Sequence, residues 1–331
     1  MDIAMMPAFV PRAKKQTKAL KKVGYNVIGL SAKTIDERDL YADFQLYCTQ
    51  FSLAGALSAM DESINIVHVH HEPAWMLPIA KQMGYKTVLD VGDLELVRTG
   101  RVVATEIKAL EEADALIFSS DRFSKFIKEL GITVSEKQEV IYSFSNEDEY
   151  QMPTFSDGGI AYGGTILPPW IVKRKQYRNL FPVIQRILSM GKKSYIYPST
   201  SKYAEFYSTL DKEKVIVNET SPYTQYISNL GKHHWGFVGS SFKHNRFMDN
   251  IVSHKMFDYV AAGIPVIVHN AEKSAELIKE YDIGIVVDNL EEVNERYDEW
   301  KDYSKKVLAI REKLTLESQV GKLINTYTAL V

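Results

Sequence analysis

Along most of this chain short apolar runs alternate with amphipathic stretches, so the hydrophobic period switches repeatedly between two and about 3.6. In the first half the runs "DIAMM" (2–6), "NVIGL" (26–30), "NIVHVHH" (65–71), "KTVLDV" (86–91), "ALIFSS" (115–120) and "EVIYSF" (139–144) predict strands. Between them "RAKKQTKALKKVG", "AWMLPIAKQMG", "ATEIKALEEAD" and "DRFSKFIKELG" predict helices. Several end in glycine (Gly24, Gly84, Gly131), the residue suited to a left-handed helix cap. Strand and helix in strict alternation predict a parallel sheet covered by helices.

The alternation lapses at "SNEDEYQMPTFSDGG" (145–159), a polar, acidic stretch without periodicity that reads as an interdomain linker. It then restarts with "GIAYGG" (159–164), "KSYIYPS" (193–199), "KVIVNE" (214–219), "WGFVGS" (235–240), "IPVIVH" (264–269) and "IGIVVD" (283–288). From 291 onward the pattern is helical with one or two breaks. The expected architecture is α/β: two Rossmann-like parallel-sheet domains, 1–150 and 151–304, facing across a cleft. A C-terminal helix of about 305–331 is expected to pack back on the first. A chain of 331 residues is long enough for two cores. Open α/β sheets bind ligands beyond the carboxyl ends of their strands, so functional residues are sought in the loops that follow strands.

Composition narrows the function classes. The chain is 45% hydrophobic and 25% charged, with a net charge of -2, which excludes a whole-molecule attraction to nucleic acid or an anionic membrane. Basic residues nevertheless cluster at 14–22, 173–178 and 242–246, and the helix around 12–22 is a candidate membrane contact. A single cysteine, Cys48, rules out an intrachain disulfide and fits a reducing compartment. With no apolar run approaching 20 residues and no secretory pattern at the N-terminus, a cytoplasmic protein is expected.

Two stretches carry candidate chemistry. In "GGIAYGGTILPPW" (158–170) a strand ends in Gly163, Gly164 and Thr165, where the backbone can approach an anion closely. An ordinary strand–turn glycine pair is the competing account. Lys173, Arg174 and Lys175 follow and can neutralise a diphosphate. In "SHKMFDYVAAGIPVIVHN" (253–270) Ser253 is a candidate N-cap, and a helix runs to Gly263. Its apolar positions suit a buried face, but Lys255 and Asp258 do not. Asp258 either accepts the hydroxyls of a ribose or merely supports the helix start. His68, His70 and His71 end another strand, with His68 and His70 on one face. "DVGD" (Asp90, Asp93) reads as polar strand-edge structure rather than a metal site.

"YGGT" with basic residues after it, then "GFVGS", "SHKMFDYVAAGIPVIV" and "AELIKEYDIGIVVDNLEEV", resembles the C-terminal domain of GT-B-fold glycosyltransferases, nearest to the family-4-like sugar transferases. "PRAKKQTKALKKVGYNVIGLS", "NIVHVHH" and "VLDVGDLE" resemble the first domain more loosely. The resemblance implies transfer of a sugar from a nucleoside-diphosphate sugar, UDP-linked by preference, with retention and without a bound metal or other cofactor. It places Gly163, Gly164 and Thr165 on the diphosphate, Asp258 on the ribose with Lys255 beside it, and Lys173 or Arg174 on the leaving phosphate. An inverting reaction would need a base, for which Asp93 and His70 are the candidates. The family carries two glutamates spaced by seven residues, where this chain has Asn250 and Asp258. The implied acceptor is a glycan, a lipid-linked sugar or a small molecule. A DNA base, and a degenerate protein that binds a nucleotide or sugar without turnover, are the alternatives.

Overall fold

The computed structural model describes residues 1–71, 73–171, 176–241 and 243–331, which form two compact units. One comprises 1–146 together with 316–331, the other 147–315.

The first unit is built on a seven-stranded sheet. In chain order its strands are β1 (Asp2–Met6), β2 (Asn26–Ser31), β3 (Asp43–Leu46), β4 (Ile64–His70), β5 (Lys86–Val91), β6 (Ala115–Phe118) and β7 (Gln138–Val140). Their spatial order is β3-β2-β1-β4-β5-β6-β7, with every neighbouring pair parallel. The chain reverses direction across the sheet between β1 and β4, so the loops after those strands flank the topological switch point. β-Branched residues dominate β4, and its last five residues are all buried, as a sheet covered on both faces requires. Ile3 and Met5 of β1, two residues apart and hence on one face, join Val27, Ile66, Val88 and Ile117 in a core. Leu20 of the helix Pro11–Lys22 covers that face, as do Leu323 and Tyr327 of the C-terminal helix Val320–Thr328.

The second unit has a six-stranded parallel sheet: β8 (Ile160–Gly164), β9 (Ser194–Pro198), β10 (Val215–Val217), β11 (Trp235–Gly239), β12 (Val266–His269) and β13 (Gly284–Val286). The order is β10-β9-β8-β11-β12-β13, with its switch point between β8 and β11. Ile160, Ile196, Phe237, Ile267 and Ile285 supply one face of the core, covered by Val183, Ile184 and Ile187 of the helix Phe181–Ser189.

Four local features differ from the sequence pattern. β3 was not expected: "DFQL" is a short edge strand with no buried residue, so it carries no hydrophobic alternation. The helix Gln50–Ser58 was also missed, because its apolar residues do not gather on one face. Its signal is a capping box, in which Thr49 Oγ1 accepts the Ser52 N–H and Ser52 Oγ accepts the Thr49 N–H. β7 ends at Val140, short of the expected 144. The stretch 145–159, read as a linker, is held by the second unit from Glu147 on: Gln151 N–H donates to Ala261 O, and Thr154 and Phe155 N–H to Gly231 O.

Candidate functional site

In the second unit the helix His254–Ala261 lies beside the end of β8, and Tyr259 holds it there. The Tyr259 side chain is fully buried, and its hydroxyl accepts the Gly163 N–H at 3.0 Å and lies 3.1 Å from Phe237 O. Gly236 makes room for the ring, since a Cβ there would stand 2.2 Å from Tyr259 Cγ. One tyrosine thereby fastens the helix to β8 and β11 and fixes where Lys255 and Asp258 fall.

Those two residues, three apart on the helix, share a face. The Lys255 ammonium stands 4.7 Å from the centre of the Tyr162 ring and 3.3 Å from Ser253 Oγ. Its methylene chain passes Gly164 closely, 3.5 Å from where a Cβ would lie. Burial pulls the Lys255 pKa down to about 8; Asp258 opposes this, and the Arg178 guanidinium adds to it. Asp258 receives two phenols, Tyr223 Oη on Oδ1 at 2.7 Å and Tyr226 Oη on Oδ2 at 3.3 Å. Tyr226 Oη occupies the space that a Gly163 side chain would fill, 2.0 Å from the Cβ position. Gly164 has φ +126°, and Thr165 Oγ1 lies 2.9 Å from Ser199 Oγ.

Gly163, Gly164, Thr165, Lys255 and Asp258 therefore gather in one place, though not as the sequence pattern arranged them. The Gly163 N–H is engaged by Tyr259, which leaves Gly164 and Thr165 as the backbone edge. Ser253 stands at the N-cap position, but its hydroxyl makes no capping bond and faces Lys255 instead. Asn250 ends the short helix Arg246–Asn250 with its Nδ2 turned back onto Arg246 O at 2.7 Å. Lys173 and Arg174 lie outside the described residues. The sequence reading missed Arg178, although "KRKQYR" contains it, and the tyrosines of "PYTQY", whose spacing of three on a helix was the available signal. The same sheet edge also holds a recess of about 500 Å³ at the ends of β11, β12 and β13, lined by Ser241, Lys243, His269, Asn270 and Asp288 among others.

The first unit holds a buried polar network at the ends of β4 and β5. Arg12 Nε donates to Asp90 Oδ1 at 2.8 Å, and Gln16 Nε2 to Oδ2 at 2.6 Å. Arg12 also reaches Ser143 Oγ and Ile141 O, so its guanidinium is bonded on all sides. His68 Nδ1 lies 2.7 Å from Tyr327 Oη, and the His68 and His70 rings stack at 4.7 Å. Burial, with His68 next and Arg12 adding to it, holds the His70 pKa well below the ordinary histidine range despite Asp90. His70 is therefore neutral at physiological pH. Burial alone would raise the Asp90 carboxyl, but the Arg12 guanidinium above all, with His68 beside it, holds it far below the usual range. Asp93 sits partly exposed in the loop after β5.

His68, His70 and Asp90 have the proximity of a metal-ligand set. Their chemistry fits one poorly: Asp90 already balances Arg12 and accepts Gln16, and a dication would add uncompensated charge to a site with no solvent access. The basic helix, a candidate membrane contact, also has internal partners. Arg12 is buried on Asp90, Lys14 pairs with Glu37 and Lys22 with Glu317. Among the described residues no helix is long and apolar enough to cross a membrane.

Comparison with known proteins bears on the fold and on one segment of the second unit. Residues 197–318 match the family described as "Glucosyltransferase 3-like, C-terminal domain". A 60-residue segment is 43% identical to Glucosyltransferase 3 of Streptococcus gordonii, covering 18% of this chain and 18% of that protein. Among solved structures, a sucrose-phosphate synthase from Thermosynechococcus elongatus superimposes over the whole of both chains, with a TM-score of 0.71 at 12% identity. Anabaena HepE in complex with UDP also matches over the whole of both chains, at 0.71 and 10%. HepE with UDP and glucose matches at 0.71 and 9%, over 100% of this chain and 99% of that one. With parallel sheets of seven and six strands, this chain has the GT-B glycosyltransferase fold, and its second unit carries a segment similar to the glucosyltransferase 3-like C-terminal domain.

Proposed function

We propose that the chain is a glycosyltransferase that moves a sugar from a nucleoside-diphosphate sugar, UDP-linked by preference, to an acceptor hydroxyl on a glycan, a lipid-linked sugar or a small molecule. The observation that carries this reading is the desolvated Lys255 beside Asp258 at the Gly164–Thr165 end of β8, with Arg178 close enough to act on the same ammonium. A half-buried lysine is costly even beside one carboxylate, and a second cation close to it makes it more so. A diphosphate relieves both.

Breaking the bond between sugar and diphosphate puts negative charge on the departing oxygen. Lys255 and Arg178 meet that charge in a poorly solvated site, where fixed cations act more strongly than in water. Two cations from the chain supply what a metal would otherwise supply, which supports a metal-independent reaction. Tyr223 and Tyr226 hold the Asp258 carboxylate in one orientation, and its remaining lone pairs accept the ribose hydroxyls. A buried histidine with a depressed pKa is a weak base, so His70 is poorly suited to take a proton from the acceptor. That supports retention. The UDP complexes of the structural neighbours favour uridine.

Titration calorimetry with UDP-, GDP- and ADP-sugars tests the donor. Asp258→Ala and Lys255→Met are each expected to weaken binding by at least about tenfold, the loss of one hydrogen bond to a charged group. Undiminished affinity in both variants would sink the site. Asn250, its amide turned onto Arg246 O, favours a second reading in which the nucleotide binds without transfer. Persistent binding with no turnover across acceptors would select it.

A further inference from the structure

Glu106 is a buried carboxylate with no role in the site described so far. It lies in the helix Ala104–Glu112 and is 1% exposed. Its Oε1 accepts the Glu95 N–H at 2.8 Å and its Oε2 the Leu96 N–H at 3.3 Å. His71 Nε2 stands 2.8 Å from Oε1. The helix Glu95–Thr99 has no side-chain cap of its own: Leu94 occupies its N-cap position. The first N–H groups of a helix lack internal partners, and here a residue about ten positions later supplies them. Burial alone raises the Glu106 pKa, but His71 and the two amides outweigh it and keep the carboxyl ionised.

What Glu106 joins decides its meaning. His71 follows His70 directly at the end of β4, and its N–H donates to Asp90 O of β5. Glu95 comes two residues after Asp93 in the loop beyond β5. The two candidate groups of the first unit thus stand on segments tied to one carboxylate. We propose that Glu106 is a positioning residue: through His71 and the first turn of Glu95–Thr99 it fixes the end of β4 that carries His70 and the loop that carries Asp93. The proposal rests on the glycosyltransferase reading for its kinetic consequence, though not for its structural one.

Glu106→Ala removes both ties, whereas Glu106→Gln keeps a carbonyl for the amides and loses the charge facing His71. Hydrogen exchange at Glu95 and Leu96 is expected to accelerate about tenfold or more in the alanine variant, with the amides of β4 and β5 still protected. The glutamine variant should stay near wild type there, while the His71 ring resonances shift. With a nucleotide-sugar donor, kcat should fall about tenfold in Glu106→Ala with donor KM within twofold, and Glu106→Gln should restore part of it. A purely structural role would lower stability without splitting kcat from KM. Unchanged exchange at Glu95 and Leu96 overturns the proposal, as does a wild-type kcat in the alanine variant. If the alanine variant does not fold, unshifted His71 resonances in Glu106→Gln overturn it. Absence of turnover in the wild-type chain would count against the transferase reading, and the exchange and resonance measurements would still decide the anchor.

Discussion

Asp90, fully buried, and Lys255, half-buried, are opposite cases of one rule: a charge taken out of water persists only where something answers it. Asp90 is answered inside the protein, by Arg12 and Gln16. Asp90→Asn leaves the Arg12 guanidinium buried without a counter-ion and is expected to destabilise the first unit by about 3–5 kcal/mol in urea unfolding. Because the folded Asp90 pKa lies far below its unfolded value, its contribution is fully present above the ordinary aspartate range. It is lost as the pH falls from that range down through the folded pKa. Lys255 is answered only in part by Asp258, which is why its pKa falls to about 8. Nucleotide affinity should therefore weaken as the pH rises from 7 to 9, because the ammonium that attracts the diphosphate is lost. In the free protein the same group works the other way. Its folded pKa lies below the unfolded one, so its share of stability rises over that interval. Calorimetry and thermal unfolding across the range should show the opposed trends, and a flat affinity profile would exclude Lys255 from the phosphate contact.

At the scale of elements, the site depends on how closely the helices His254–Ala261 and Tyr223–Leu230 approach the end of β8. Gly163 sets one approach, since its missing side chain leaves the space that Tyr226 Oη fills. Gly163→Ala should displace the Tyr226 phenol from Asp258, costing about 1–3 kcal/mol of stability as overpacking does. Nucleotide affinity should fall with it. Combining it with Tyr226→Phe removes the clashing oxygen and should recover part of the stability but not the affinity. Equal affinities in Gly163→Ala and wild type would show that Tyr226 does not order Asp258. The elements themselves were legible where burial imposes a period: the buried strands, the four helices named in the first half and the helix over 253–263 stand within a few residues of their predicted positions. The edge strand β3 and the helix Gln50–Ser58 were not, since neither presents one apolar face. In the site, Asp258 and Lys255 stood out as charges on an otherwise apolar helix. Tyr259 and Tyr226 did not, because a tyrosine in a pattern is indistinguishable from core until its hydroxyl has a partner.

For the whole molecule, the chain leaves the first unit at Asn146 and returns to it at Leu316. The returning segment is part of that unit's core: Leu316, Leu323 and Tyr327 are buried against Leu20 and the β1 and β4 side chains, and Tyr327 Oη meets His68. Ending the chain at Thr315 removes these side chains. At about 1.5–3 kcal/mol for each buried leucine or comparable side chain, the first unit should lose most of its stability. The second unit, whose core the deletion does not touch, should keep its melting transition. A single unchanged transition in the truncated chain would refute this division.

The sequence by itself determined the local terms: two runs of alternating strand and helix, where helices stop, and which charges sit at strand ends. Those follow from side-chain period, glycine conformation and the cost of burying a charge, all of which act over a few residues. Only the tertiary structure decided that Gly163 serves Tyr226 and Tyr259, that Arg12 is an internal counter-ion, and that Glu106 ties the end of β4 to the segment after β5. Each of these is a contact between residues 10 to 131 positions apart. No short-range pattern encodes such a pairing, because it exists only once packing removes water and leaves each polar group with the partner that the fold presents.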